Sequence, residues 1–154
     1  MRRHVWFGGV TLATVVAVGS CKDDVGLTSL PETYIAVLNG ANEPTAITTA
    51  AQGLATIVVK GNLLSYRVEL SNIDSAFLAH IHNGPAGVNG GVMRNLYVPP
   101  KPATDLKFSG TLIADTTTVV DSVLTHMRDG TAYVNVHTEV NKGGEIRGTV
   151  FRLQ

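Results

Sequence analysis

The chain has 154 residues, twelve basic and twelve acidic side chains for a formal net charge of zero, five histidines and a single cysteine. That length suits one domain with one hydrophobic core, and a lone cysteine excludes an internal disulfide. Without a basic cluster the chain has no electrostatic footprint for nucleic acid, so no nucleic-acid partner is expected.

Residues 1–20 read as an export signal. Arg2 and Arg3 form a positive head, and "VWFGGVTLATVVAV" is an apolar core of signal length. It is shorter than the about 20 apolar residues that a transmembrane helix needs. "VGSC" then closes the segment with small residues and Cys21. This ending resembles a bacterial lipobox, with Val18 where leucine is more usual. The resemblance implies cleavage before Cys21, lipid on its thiol, and attachment to the membrane through that lipid. An ordinary cleaved signal followed by an incidental cysteine is the other reading. Cleavage takes Arg2 and Arg3 away, so ten basic residues face twelve acidic ones and the remaining chain carries −2. Residues 21–32, the cysteine and "KDDVGLTSLPE", read as a polar tether, and 33–154 as the folded domain. Lys22, not an aspartate, follows the cysteine, which implies the outer membrane in a Gram-negative host.

From Tyr34 onward, short β-branched runs alternate with turn residues. "YIAVL" is a strand and "NGANEPT" a turn cluster. "GLATIVVKGNLLSYRVEL" holds two strands joined at Gly61-Asn62, a pair suited to a tight hairpin. Leu64, Tyr66, Val68 and Leu70 share one face of the second strand, and Ser65, Arg67 and Glu69 the other. "FLAHIHN" and "GGVMRNLYV" are the next strands, and "PPKPATD" breaks the pattern. "LKFSGTLIA", "TAYVNVHT" and "EIRGTVFRL" bring the count to about eight. "TVVDSVLTHMRDG" instead places Val119, Val120, Val123, Leu124 and Met127 at helical spacing, with Gly130 as a stop. The expected fold is all-β: an antiparallel Greek-key sandwich or barrel of about eight strands with one short helix.

His80 and His82, two apart on one strand, share a face and can converge on one ion, while Ala79 and Ile81 turn to the core. His137 shares a face with Tyr133 and Asn135, opposite Val134 and Val136, at the end of its strand. An aspartate at inward Val136 is expected to unfold the domain, and one at outward Asn135 to be far milder. Hydrogen bonds that fix the ring tautomers are expected from Asn83, Thr138, Glu139 or Glu145. His126, beside Arg128 and Asp129, is expected to be solvated, and His4 leaves with the signal. In the alternative reading, the histidines bond loop carbonyls and Arg147 pairs with Glu145 or Glu139, with no ion required. No nucleophile elbow, phosphate loop or dinucleotide fingerprint occurs, and Ser65, Ser71 and Ser109 have no evident base partner.

"AHIHNGPAGVNGGV" and "GTAYVNVHTEVNKGGEIRGTV" resemble the two signature blocks of the CHRD domain, and "VLNGANEPTAITTAAQGLATI" resembles its opening block. The likeness runs from about Tyr34 to Leu153. It implies an exported binding or structural module whose envelope or extracellular ligand is unknown. The order His-x-His, Val-x-Val-His, glycine-rich connection and arginine is also similar to copper/zinc superoxide dismutases. That similarity implies copper ligands at His80, His82 and His137 and an anion-guiding Arg147. The bridging histidine and zinc group of those enzymes have no counterpart between Asn83 and Phe108, nor is there a cysteine pair. What the similarity implies is therefore reduced to one copper held by three histidines, in a copper-binding or dismutase-like protein.

Overall fold

A computed structural model describes residues 30–99 and 101–153. The export signal, Cys21 and its lipid lie outside the described residues. The strands are β1 (Glu32–Asn39), β2 (Gln52–Lys60), β3 (Leu63–Ile73), β4 (Ala76–Asn83), β5 (Val92–Tyr97), β6 (Phe108–Thr118), β7 (Ala132–Thr138), β8 (Ile146–Thr149) and β9 (Phe151–Arg152). A 3-10 turn, Gly40–Asn42, follows β1, and helix α1, Asp121–Arg128, precedes β7. All strand pairs are antiparallel, in the order β5-β4-β7-β8-β1-β2-β3-β6, with β9 also on β1. β8 and β9 flank buried Val150 and act as one interrupted strand, which leaves eight positions in a nearly closed barrel. The expected all-β fold with one short helix holds, and of the two forms considered the chain takes the barrel.

Period-two alternation decides what lies inside. Tyr34, Ala36 and Leu38 of β1 are fully buried, as are Ile57 of β2, Leu64 and Val68 of β3, Ile81 of β4 and Val134 and Val136 of β7. Their removal from water, at about 25 cal/mol per Å² of apolar surface, drives the closure. The Gly61-Asn62 hairpin sets the register of β2 on β3, from Lys60↔Leu63 to Gln52↔Ser71. The seam lies between the two outermost strands. Tyr66 donates its hydroxyl to the Leu96 carbonyl at 3.0 Å, and Arg94 hydrogen-bonds Thr117 across the gap. The bond from Tyr66 of β3 takes up one backbone acceptor on the β5 edge.

The helix buries Val123, Leu124 and Met127. Val120 departs from the expected stripe: it is the N-cap residue in extended conformation and is 67 % exposed. The far end of α1 is tied to the start of β1. Arg128 bonds Glu32 at 2.5 and 3.1 Å, and Arg152 of β9 approaches the same carboxylate at 3.7 Å. The Arg128 hydrogen bond, with help from Tyr34, pulls the Glu32 carboxyl down to about 2.

Strand β7 runs between β4 and β8, and all seven of its residues are buried. Asn135 and His137 lie on the outer face, as alternation requires, yet water does not reach them freely. Segments 84–91 and 139–145, together with Glu43 after the 3-10 turn, contact this face. Asn135 is 3 % exposed and donates its amide to Glu43 at 2.8 Å. An aspartate there meets a second carboxylate in a dry place, so the mild outcome expected from alternation does not apply. Val136 is fully buried in the interior, and Val136→Asp strands a charge or forces its neutralisation at several kcal/mol. Against a total stability of about 5 to 15 kcal/mol, this variant is expected to be largely unfolded at 25 °C by circular dichroism. A urea midpoint equal to that of the wild type would contradict the inward placement.

Candidate metal centre

The ladder between β4 and β7 brings three imidazoles together on the outer face. Register partners are Leu78↔His137, His80↔Asn135 and His82↔Tyr133. His137 is thus diagonal to His80, within reach of its ring. His80 Nδ1 lies 3.1 Å from His137 Nε2, and one ring nitrogen from each of the three residues falls within 4.8 Å of the others. Metal–nitrogen bonds of about 2.0 to 2.1 Å place ligand nitrogens about 3 to 4 Å apart. The His80–His137 pair already has that spacing. The full set must close by up to about an ångström to grip one ion.

Two of the three tautomers are set by backbone carbonyls. His82 Nδ1 is 3.0 Å from the Gly90 oxygen, and His137 Nδ1 is 2.9 Å from the Lys142 oxygen. A carbonyl only accepts, so each Nδ1 carries the proton and each Nε2 is a bare lone pair. His137 Nε2 faces His80, whereas His82 Nε2 is buried and without a hydrogen-bond partner among the described residues. An orphaned acceptor beside two further imidazole nitrogens suits a cation. Burial pushes all three imidazoles below their ordinary range. His80 falls to about 4, with neighbouring His137 and His82 adding to the effect of burial. The rings are therefore neutral and able to ligate at neutral pH.

The groups that orient the rings differ from those expected. Glu145 accepts from Thr138 at 3.1 Å and from Asn141, and Glu139 pairs with Lys142 at 3.8 Å on the surface. None of these side chains bonds an imidazole; Thr138 and Glu145 instead shape the turn that presents the Lys142 carbonyl. Tyr133, whose place on this face was legible, stacks on His82 with centroids 4.8 Å apart and planes 7° from parallel. Its hydroxyl accepts from the Gly90 amide at 3.1 Å. Gly90 has no alternative at this position, because a Cβ there would lie 1.3 Å from the Asn83 carbonyl oxygen.

Arg147, 2 % exposed, sits under segment 84–91 with its guanidinium carbon 3.5 Å from the centre of the Tyr133 ring. It donates to the carbonyls of Val88 at 2.9 Å and Pro85 at 3.4 Å, and to Asn89 Oδ1 at 3.3 Å. It pairs with neither Glu145 nor Glu139. Its evident action is to clamp the glycine-rich segment against the face that carries the histidines. His126 is not solvated as expected; it is half-buried and bonds Thr131 at 2.8 Å, apart from the cluster.

The family model described as CHRD domain matches residues 34–150. The chain belongs to the CHRD family. Searches of curated proteins and of solved structures each returned no match. The CHRD match runs from Tyr34 in β1 to Val150, nearly all of the barrel, and so includes all three histidines, Tyr133 and Arg147. A covered outer face on a nearly closed barrel is an arrangement suited to a binding module.

Depressed histidines make this CHRD barrel acid-sensitive in a defined window. In the unfolded chain an imidazole takes up a proton near 6.5, while folded His80 resists until about 4. The unfolded state therefore binds more protons between these values, and stability rises with pH across them. In the presence of a chelator, the stability advantage of wild type over His80→Gln is expected to shrink as pH falls from 6.5 to 4. Thermal melts at several pH values measure it. A constant difference over that window would mean that folded His80 protonates as freely as an exposed imidazole.

Proposed function

We propose that this protein is a lipid-anchored CHRD barrel of the bacterial cell envelope that holds one copper ion between His80, His82 and His137. The observation that carries the reading is the buried Nε2 of His82, unpartnered among the described residues, beside a His80–His137 pair at 3.1 Å, with the His82 and His137 tautomers set by carbonyls. Imidazole suits copper, which heads the divalent affinity order, and three such ligands leave a position open. Bound copper would supply a one-electron redox couple or a Lewis-acid position there; the chain's own part is to keep the lone pairs bare and the site dry. Neutral rings, low exposure and two backbone-oriented tautomers all serve that end. The anchor rests on Cys21 at the end of the apolar segment, followed by a polar tether into β1. The outer membrane in a Gram-negative host follows from Lys22 after that cysteine.

A ligand-free role for the histidines has its own support, since the bonds to Gly90 and Lys142 hold both covering segments with or without an ion. Metal analysis separates the two. The purified full chain, loaded with copper and dialysed, is expected to retain one ion per chain. Alanine at His80, His82 or His137 should each weaken copper binding by more than about tenfold, the loss of a ligand being worth over 1.4 kcal/mol. His126→Ala should leave it unchanged. Equal behaviour of all four variants would return the histidines to the structural role.

For the anchor, Cys21→Ser is expected to abolish incorporation of labelled fatty acid, because the thiol is the acylated atom. A labelled serine variant would remove the lipoprotein reading while leaving the metal site untouched.

A further inference from the structure

A concavity opens on the same outer face, bounded by β1, the 3-10 turn, segment 84–91 and strands β8 and β9. Its volume is about 590 Å³, within the range of about 300 to 1,000 Å³ typical of small-molecule sites. Val37 and Phe151, 58 % and 61 % exposed, form an apolar wall, and Arg147 and Glu43 line its polar part.

Arg147 is the unusual member. A guanidinium this deeply buried is ordinarily paired with a carboxylate. Among the described residues Arg147 has no ion pair, and its three hydrogen bonds end on neutral oxygens, two of them at 3.3 and 3.4 Å. Five N–H donors are available on the fork, so donors remain for one more acceptor. Glu43 does not reach it as a salt-bridge partner. Its Oε1 accepts from Asn135 at 2.8 Å, and burial pushes its carboxyl above the usual range. The Arg147 charge opposes that shift, but Glu43 makes no hydrogen bond to the guanidinium, whose bonds all end on neutral oxygens.

We propose that this cleft binds a small organic monocarboxylate, with the carboxylate against Arg147 and the apolar part between Val37 and Phe151. A carboxylate matches the planar fork in a charge-assisted, two-pronged contact. The apolar wall favours an organic acid over a bare inorganic anion. The site uses none of the three imidazoles as a ligand contact, so it stands whether or not they hold copper.

The test is a calorimetric titration of the full chain, kept metal-free with a chelator, against benzoate, benzyl alcohol and inorganic phosphate. Benzoate is expected to saturate one site at millimolar concentration, with benzyl alcohol and phosphate each at least about tenfold weaker. Glu43→Gln keeps an acceptor for Asn135 and removes the carboxylate, so it should hold or raise benzoate affinity. Arg147→Met, in a preparation that melts cooperatively, should lose it. Failure of benzoate to saturate, benzyl alcohol or phosphate binding as tightly as benzoate, weaker binding by Glu43→Gln, or binding retained in folded Arg147→Met overturns the proposal. Should Arg147→Met not fold, the alcohol, phosphate and Glu43→Gln comparisons decide it.

Discussion

The stack of Arg147 on Tyr133 and of Tyr133 on His82 is the contact on which the outer face depends. A closed barrel consumes one face of every strand, and the other is left to water unless something lies over it. Here the covering is chain, not a second sheet. Segment 84–91 is fastened by Arg147 to its carbonyls, by Tyr133 to its Gly90 amide and by His82 to its Gly90 oxygen. Each fastening side chain comes from a rigid strand, so a loop with little apolar content of its own is held by the sheet. The guanidinium on an aromatic ring adds on the order of 1 kcal/mol, more where water is excluded.

Burying polar groups this way is costly unless they are satisfied, and the face divides on that criterion. Glu145 is satisfied by Thr138 and Asn141, and His137 by Lys142 on one side and His80 on the other. Among the described residues, His82 Nε2 and Asn135 Oδ1 have no partner. Gly144 presses on that second group, for a Cβ there would lie 2.6 Å from the Asn135 amide nitrogen and 2.7 Å from Glu43. Its φ of 139° is also one that side chains rarely adopt. A backbone conformation that suits glycine and an unsatisfied acceptor thus sit side by side above β7, and an unpartnered buried polar group is often found where a site serves something other than stability.

Much of the barrel was legible because its signal is local. Leu64, Tyr66, Val68 and Leu70 declare their face within seven residues, and Gly61-Asn62 declares the hairpin in two. The convergence of His80, His82 and His137 was also readable, since each belongs to a strand whose phase its neighbours reveal. What covers them was not. The partners of the imidazoles are backbone oxygens of Gly90 and Lys142, and a carbonyl looks the same at every position of a sequence. The polar links across the face join distant residues: Arg147 with Val88, Asn135 with Glu43, and Gly90 with Tyr133. Alternation correctly put Asn135 and His137 outside, but outside the barrel is not the same as in solvent. Val120 failed for a smaller reason: helical spacing extends one residue past the point at which the backbone becomes helical.

The position of β1 has a mechanical consequence. It is an interior strand, in register with β2 along its whole length and joined on its other side to β8 and β9. Its first residue, Glu32, is also gripped by Arg128 and Arg152. Force applied to the chain ahead of Glu32 first meets those two guanidiniums. Beyond them it must slide β1 past neighbours on both sides, loading many backbone hydrogen bonds together instead of peeling them one at a time. A barrel held at that end would resist tension in shear, and the three histidines lie on β4 and β7, neither of which pairs with β1.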